Sequence, residues 1–112
     1  MEWTALIRIL NKYDTNTCLL FYWADGLIIK GTVDTISETD NSFYDTAEYK
    51  EYYMALVEVK KIIRRSENTD PTVYVGALLE VSEEFEPFKI ELEDHSIVWS
   101  KESDNNSRKE ID

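Results

Sequence analysis

Cys18 and His95 are the only residues of their kinds in this chain of 112 residues. A cysteine nucleophile with a histidine base is the simplest catalytic pairing they offer, and it needs both in one cleft with a third group orienting the imidazole. Their surroundings point elsewhere. Cys18 lies in "TCLLFYW", the setting of a small buried hydrophobe, and His95 lies in "EDHS", the setting of a turn. Carboxylates are the other reactive groups, 23 of them against 12 lysines and arginines. Pairs such as Glu83 with Glu84, Glu93 with Asp94, and Asp34 near Asp40 have the donors for acid–base work or a hard cation. At this density close pairs arise by chance, and no Asp-x-Asp-x-Asp-Gly loop or histidine-rich set accompanies them. The three glycines, Gly26, Gly31 and Gly76, do not have the spacing of a phosphate-binding loop. The sequence therefore points to no enzyme, no cofactor and no metal.

What remains is surface chemistry. The formal net charge is −11, and much of the excess falls in residues 80–94, "EVSEEFEPFKIELED". A field of that sign repels phosphate backbones and anionic lipid, so direct nucleic-acid binding is disfavoured and a basic protein partner is favoured. A second stretch, "SFYDTAEYKEYY", sets aromatic residues among Asp45, Glu48 and Glu51. Tyrosines on an acidic surface supply contact affinity while the charge steers a basic partner. The candidate interface is accordingly Phe43, Tyr44, Tyr49 and Tyr52 with Glu83, Glu84, Glu86 and Glu91. The simpler reading stands beside it: acidity that only keeps the protein soluble, with Phe43 and Tyr53 covering one end of a core.

These residues need a scaffold. With 43% apolar residues the chain can bury a core without disulfides, and its lone cysteine cannot form one internally. No signal-peptide pattern opens it and no apolar run approaches a membrane span, so a cytoplasmic protein of bacterial size is expected. Trp3, Leu6, Ile7 and Leu10 recur at helical spacing and predict a short amphipathic helix over residues 2–12. "CLLFYW", Asp25-Gly26 and "LIIKGTVDTI" read as a β-hairpin, with Gly31 marking a bulge, a bend or the close approach of another backbone. Residues 37–51 read as an exposed loop. Residues 45–65 carry both a capping box at Asp45 and Glu48, which permits a long helix, and the alternation of a strand from 53 to 63; the strand is preferred. "TVYVGALLEV" is the plainest strand, with Val73, Val75, Ala77, Leu79 and Val81 on one face. "FKIEL" and "SIVW" add two more, with Phe88, Ile90 and Leu92 on one face of the first opposing Lys89, Glu91 and Glu93 on the other.

The pattern predicts a mainly β (α+β) fold: a small, bent antiparallel sheet or barrel with an N-terminal helix, one domain over residues 1–100, and a disordered tail over 101–112. The helix at 2–12, Asp25-Gly26 at the first turn and Gly31 in the second strand resemble the first motif of the Sm-like small barrels and the wider SH3-like group. That resemblance implies a closed barrel. It does not imply RNA binding, because the Asp-x-x-x-Asn base pocket is missing after Gly31 and the net charge is strongly negative. The expected function is a non-catalytic protein-interaction module of adaptor, inhibitor or immunity type. A nucleic-acid mimic that occupies the groove of a DNA- or RNA-binding enzyme is the alternative, and an Sm-like RNA- or ligand-binding barrel comes third.

Overall fold

The computed structural model describes residues 3–67 and 71–101. One helix, α1 (Ala5–Leu10), precedes six strands: β1 (Cys18–Tyr22), β2 (Ile28–Asp40), β3 (Glu51–Arg64), β4 (Leu78–Val81), β5 (Lys89–Leu92) and β6 (Ile97–Ser100). All neighbours are antiparallel and the order across the sheet is β4-β3-β2-β1-β5-β6. The fold is mostly β with one short helix, as the alternation predicts.

α1 is shorter than its apolar stripe. Thr4 caps it, its side-chain hydroxyl accepting from the Ile7 N–H at 3.2 Å, and so satisfies one of the orphan donors of the first turn. Trp3 thereby falls outside the helix, where its ring meets Tyr53 edge-on at 5.6 Å. Leu6, Ile7 and Leu10 are buried against a core of Leu19, Phe21, Ile29, Val57, Val59, Val81, Ile90 and Trp99.

At the first turn Gly26 has φ +98°, and Trp23 N–H and Leu27 carbonyl close the reversal at 2.9 Å, the backbone that Asp-Gly favours. The β2–β3 pair then slips register at Gly31. A Cβ at Gly31 would lie 2.6 Å from Val57 Cγ1 and 2.8 Å from the Glu58 carbonyl oxygen. Only glycine lets the two longest strands approach there. β3 is a strand throughout, and the loop between β2 and β3 shrinks to residues 41–50 because both strands run further than their apolar alternation.

Two expectations are corrected. The sheet is not closed into an Sm- or SH3-like barrel: β4 and β6 are free edges of four residues each. α1 touches both β3 and β6, so the sheet curls around the helix, which fills the side where strands would have to pair to close it. "TVYVGALLEV" is also only half a strand. Gly76 adopts φ +96° and Val75 is 62% exposed, so the extended run breaks before β4 begins. The expected tail beyond Lys101 lies outside the described residues.

Candidate protein-binding surface

The loop between β2 and β3 is built from its own side chains. Asn41 is its clamp: its Nδ2 donates to the Glu48 carbonyl at 2.7 Å, and its Oδ1 accepts from the Phe43 and Lys50 N–H groups at 3.2 Å each. Asp40 Oδ1 accepts from Ser42 N–H at 2.8 Å, and Thr46 Oγ1 donates to the Phe43 carbonyl at 2.7 Å. Ser42 and Asp45 sit in the left-handed region with φ 65° and 60°, conformations that short polar side chains tolerate. These bonds tie the loop to itself, and a loop so held loses less conformational freedom on binding than an unconstrained one.

Its aromatic side chains face outward. Phe43, Tyr44 and Tyr49 are 57%, 62% and 39% exposed, and the Tyr44 and Tyr49 rings lie 5.7 Å apart. Tyr44 donates its hydroxyl to Asp40 Oδ2 at 3.2 Å, and this bond, followed by the Asp40 charge, pushes its phenol above the ordinary range. The Tyr49 phenol is raised as well, first by desolvation and then by the charges of Glu51 and Asp40. Asp40 contributes to both shifts.

The acidic loop after β4 reaches this aromatic patch. Lys50 Nζ meets Glu83 Oε2 at 2.7 Å, which ties the two loops together and pairs the lysine that follows Tyr49 in the sequence. Tyr52 points the other way: it is buried, and its hydroxyl donates to Glu80 Oε2 at 3.1 Å. Ser82 donates to the same oxygen at 2.6 Å, and its Oγ accepts from the Glu84 N–H at 3.1 Å. Desolvation, then the Glu80 hydrogen bond and charge, push the Tyr52 phenol up to about 12. Glu84 is exposed, and Glu86 pairs with Lys101 at 3.3 Å.

Glu91 lies apart from this group. On β5 it faces away from the helix beside Tyr22 and Lys89, and it is buried at 6% exposure. Tyr22 donates to its Oε1 at 2.5 Å, His95 Nδ1 lies 3.1 Å from that oxygen, and Lys89 Nζ is 3.4 Å from Oε2. Burial would raise this carboxyl, but the hydrogen bonds from Tyr22, His95 and Lys89 outweigh it and hold it below its usual 4.5. Cys18, the other single residue, opens β1 opposite Thr32, while His95 serves Glu91. Among the described residues no three of His, Cys, Asp and Glu come together as metal ligands, and no helix is long and apolar enough to cross a membrane.

Among the aromatic residues outside the candidate surface, Tyr74, Phe85 and Phe88 are exposed and Trp23 is half-buried. Phe85 is 61% exposed, and its carbonyl accepts from Trp23 Nε1 at 3.2 Å. A phenylalanine isolated between Glu84 and Glu86 was the available signal. Trp23 carried none, since it reads as the end of an apolar strand.

A preformed acidic and aromatic loop on a small open sheet defines an interaction module. The family model described as "Cognate immunity protein YxxD" matches residues 1–103, and the chain belongs to that family. No curated protein and no solved structure matches it. It is an immunity-type protein-interaction module.

Proposed function

We propose that this protein neutralises a cognate toxin by binding it, without chemistry of its own, in the cytoplasm of the cell that makes it. The contact surface is the loop carrying Phe43, Tyr44 and Tyr49, continued through Lys50 and Glu83 to Glu84. The observation that carries this reading is the exposed Tyr44–Tyr49 pair beside Asp40 and Glu51, with the adjacent Lys50 paired to Glu83. Such a patch favours a basic partner face: the rings supply desolvated contact and the carboxylates steer the encounter. It supports an ordinary interface over nucleic-acid mimicry, which needs carboxylates in a long phosphate-like stripe. Here Glu91 is buried and Glu86 is paired with Lys101.

Calorimetric titration of the cognate toxin with the full chain tests the proposal. Binding that weakens as salt rises, and that Tyr49→Ala and Glu84→Lys each weaken by about tenfold or more, is expected. Binding that neither variant alters would remove the function from this surface.

A further inference from the structure

Where the β1–β2 turn meets the loop after β4, the surface opens into a pocket of about 270 Å³ walled by Trp23, Leu27, Val73, Leu79 and Phe85. Cofactor and drug-sized sites begin at about 300 Å³, so this pocket has room for one side chain. Its walls are pinned. Trp23 stacks on buried Phe21 at 6.0 Å and donates its indole N–H to the Phe85 carbonyl at 3.2 Å. Arg65, which also lines the pocket, donates through Nη1 to the Val73 carbonyl at 3.1 Å.

The charge around the opening is acidic. Asp25 and Glu80 line the pocket against Arg65 alone, and Phe85 stands between Glu84 and Glu86 in the sequence. The Phe85 ring, at 61% exposed, is a large apolar group left in water at the rim. The pocket also adjoins the acidic and aromatic surface: two residues before Phe85, Glu83 binds Lys50 of the aromatic loop. Interfaces draw most of their affinity from a few aromatic or arginine anchors seated in such pockets and ringed by polar contacts.

We propose that this pocket receives a single aromatic side chain of the bound partner protein, next to a basic residue of that partner. The assignment rests on the toxin-binding reading above and carries the interface past Glu83 to the hairpin turn. It makes Trp23 and Phe85 contact residues, and it gives the partner's contact segment an aromatic–basic chemistry.

Small probes test the pocket in the full chain without the partner. Isotope-labelled protein is titrated with tryptamine and with indoleacetate while the indole N–H resonance of Trp23, assigned by its loss in Trp23→Phe, is followed. The expected result is a saturable shift with tryptamine, binding about tenfold weaker for indoleacetate, and loss of both in Leu79→Arg with the Trp3 and Trp99 resonances unmoved. No saturable shift, or equal affinity for the two probes, would overturn the proposal. Phe85→Ala, at the exposed rim, weakens tryptamine binding and serves as the variant if Leu79→Arg does not fold.

The toxin titration then separates the two readings. If the pocket is an anchor site, the toxin moves the Trp23 resonance, tryptamine competes with it, and Phe85→Ala costs about tenfold or more in affinity. A toxin that binds while Trp23 stays unmoved and Phe85→Ala has no effect overturns the pocket and leaves the loop interface standing. A toxin that does not bind overturns both.

Discussion

On the face of the sheet away from the helix, Tyr22 donates its hydroxyl to Glu91 at 2.5 Å; at the β3–β4 end, Tyr52 donates to Glu80 at 3.1 Å. Both phenols are pushed up to about 12, by desolvation first and the carboxylate second. The two pairs differ in what else reaches the carboxylate. Glu91 also faces Lys89 and His95, so its charge is answered within the sheet. Glu80 takes its second hydrogen bond from the neutral Ser82 hydroxyl, and among the described residues it forms no ion pair. One pair is closed and holds strands together. The other leaves its negative field beside the exposed loop, where a partner can use it. The same two residue types thus form a closed or an open electrostatic unit according to whether a cation completes them.

The comparison breaks most visibly at Glu91. Glu91→Ala strands the Tyr22 hydroxyl and Lys89 against a sheltered face, and is expected to lower the unfolding free energy by about 2 kcal/mol in urea titrations. Toxin affinity should not change. A loss of binding with stability intact would mean that the two pairs have been assigned the wrong way round.

Tyr49→Ala is the converse, expected to weaken the toxin complex by about tenfold or more while leaving the denaturation midpoint where it was.

Acid and alkali sharpen the contrast further. The folded Glu91 carboxyl titrates below its usual 4.5, so the stability it provides is complete above that value and is lost as the pH falls through the lower folded value. Glu91→Gln should flatten that acid limb of the stability profile. Tyr22 and Tyr52 titrate near 12 instead of 10; their contribution is complete below pH 10 and disappears as the pH rises through 12. In a spectrophotometric titration Glu80→Gln should lower the Tyr52 phenol in part, since the larger effect of desolvation remains, and leave Tyr22 in place. Movement of both together would show the pairs to be coupled.

The smallest effect belongs to Tyr44→Phe. It removes one exposed hydrogen bond to Asp40 and keeps the ring, so it should change toxin affinity by less than about twofold.

The sequence displays those features whose causes are local. Asp25-Gly26 and the alternating runs around it dictate the first hairpin, and Gly31 announces a close approach that the structure places at Val57 and Glu58. The aromatic loop is legible too, because Phe43, Tyr44 and Tyr49 fall among turn formers with no apolar partner in period. Glu91 is illegible for the opposite reason. Alternation in "FKIEL" assigns it to the face opposite Ile90, which is correct, but what shelters it is Tyr22, 69 positions away. Tyr52 and Tyr53 were equally ambiguous, since adjacent residues of one strand face opposite sides and both sides here carry cover. Alternation also overreached at Val75, where a positive-φ glycine next door ended the extended run.

The pairing of β1 with β5 matches Leu19 to Leu92 and Tyr22 to Lys89, so the middle of the sheet is sealed by a strand made late in synthesis. β1, β2 and β3 are consecutive and can pair as they emerge, with the aromatic loop between β2 and β3 among them. The strand that flanks β1, together with Ile90 and Trp99 of the core, arrives only after a long intervening stretch whose loop-closure entropy must be overcome first. A nascent chain therefore displays the aromatic loop on an unfinished sheet, with the Tyr22 edge still open. Completion waits on β5 and β6.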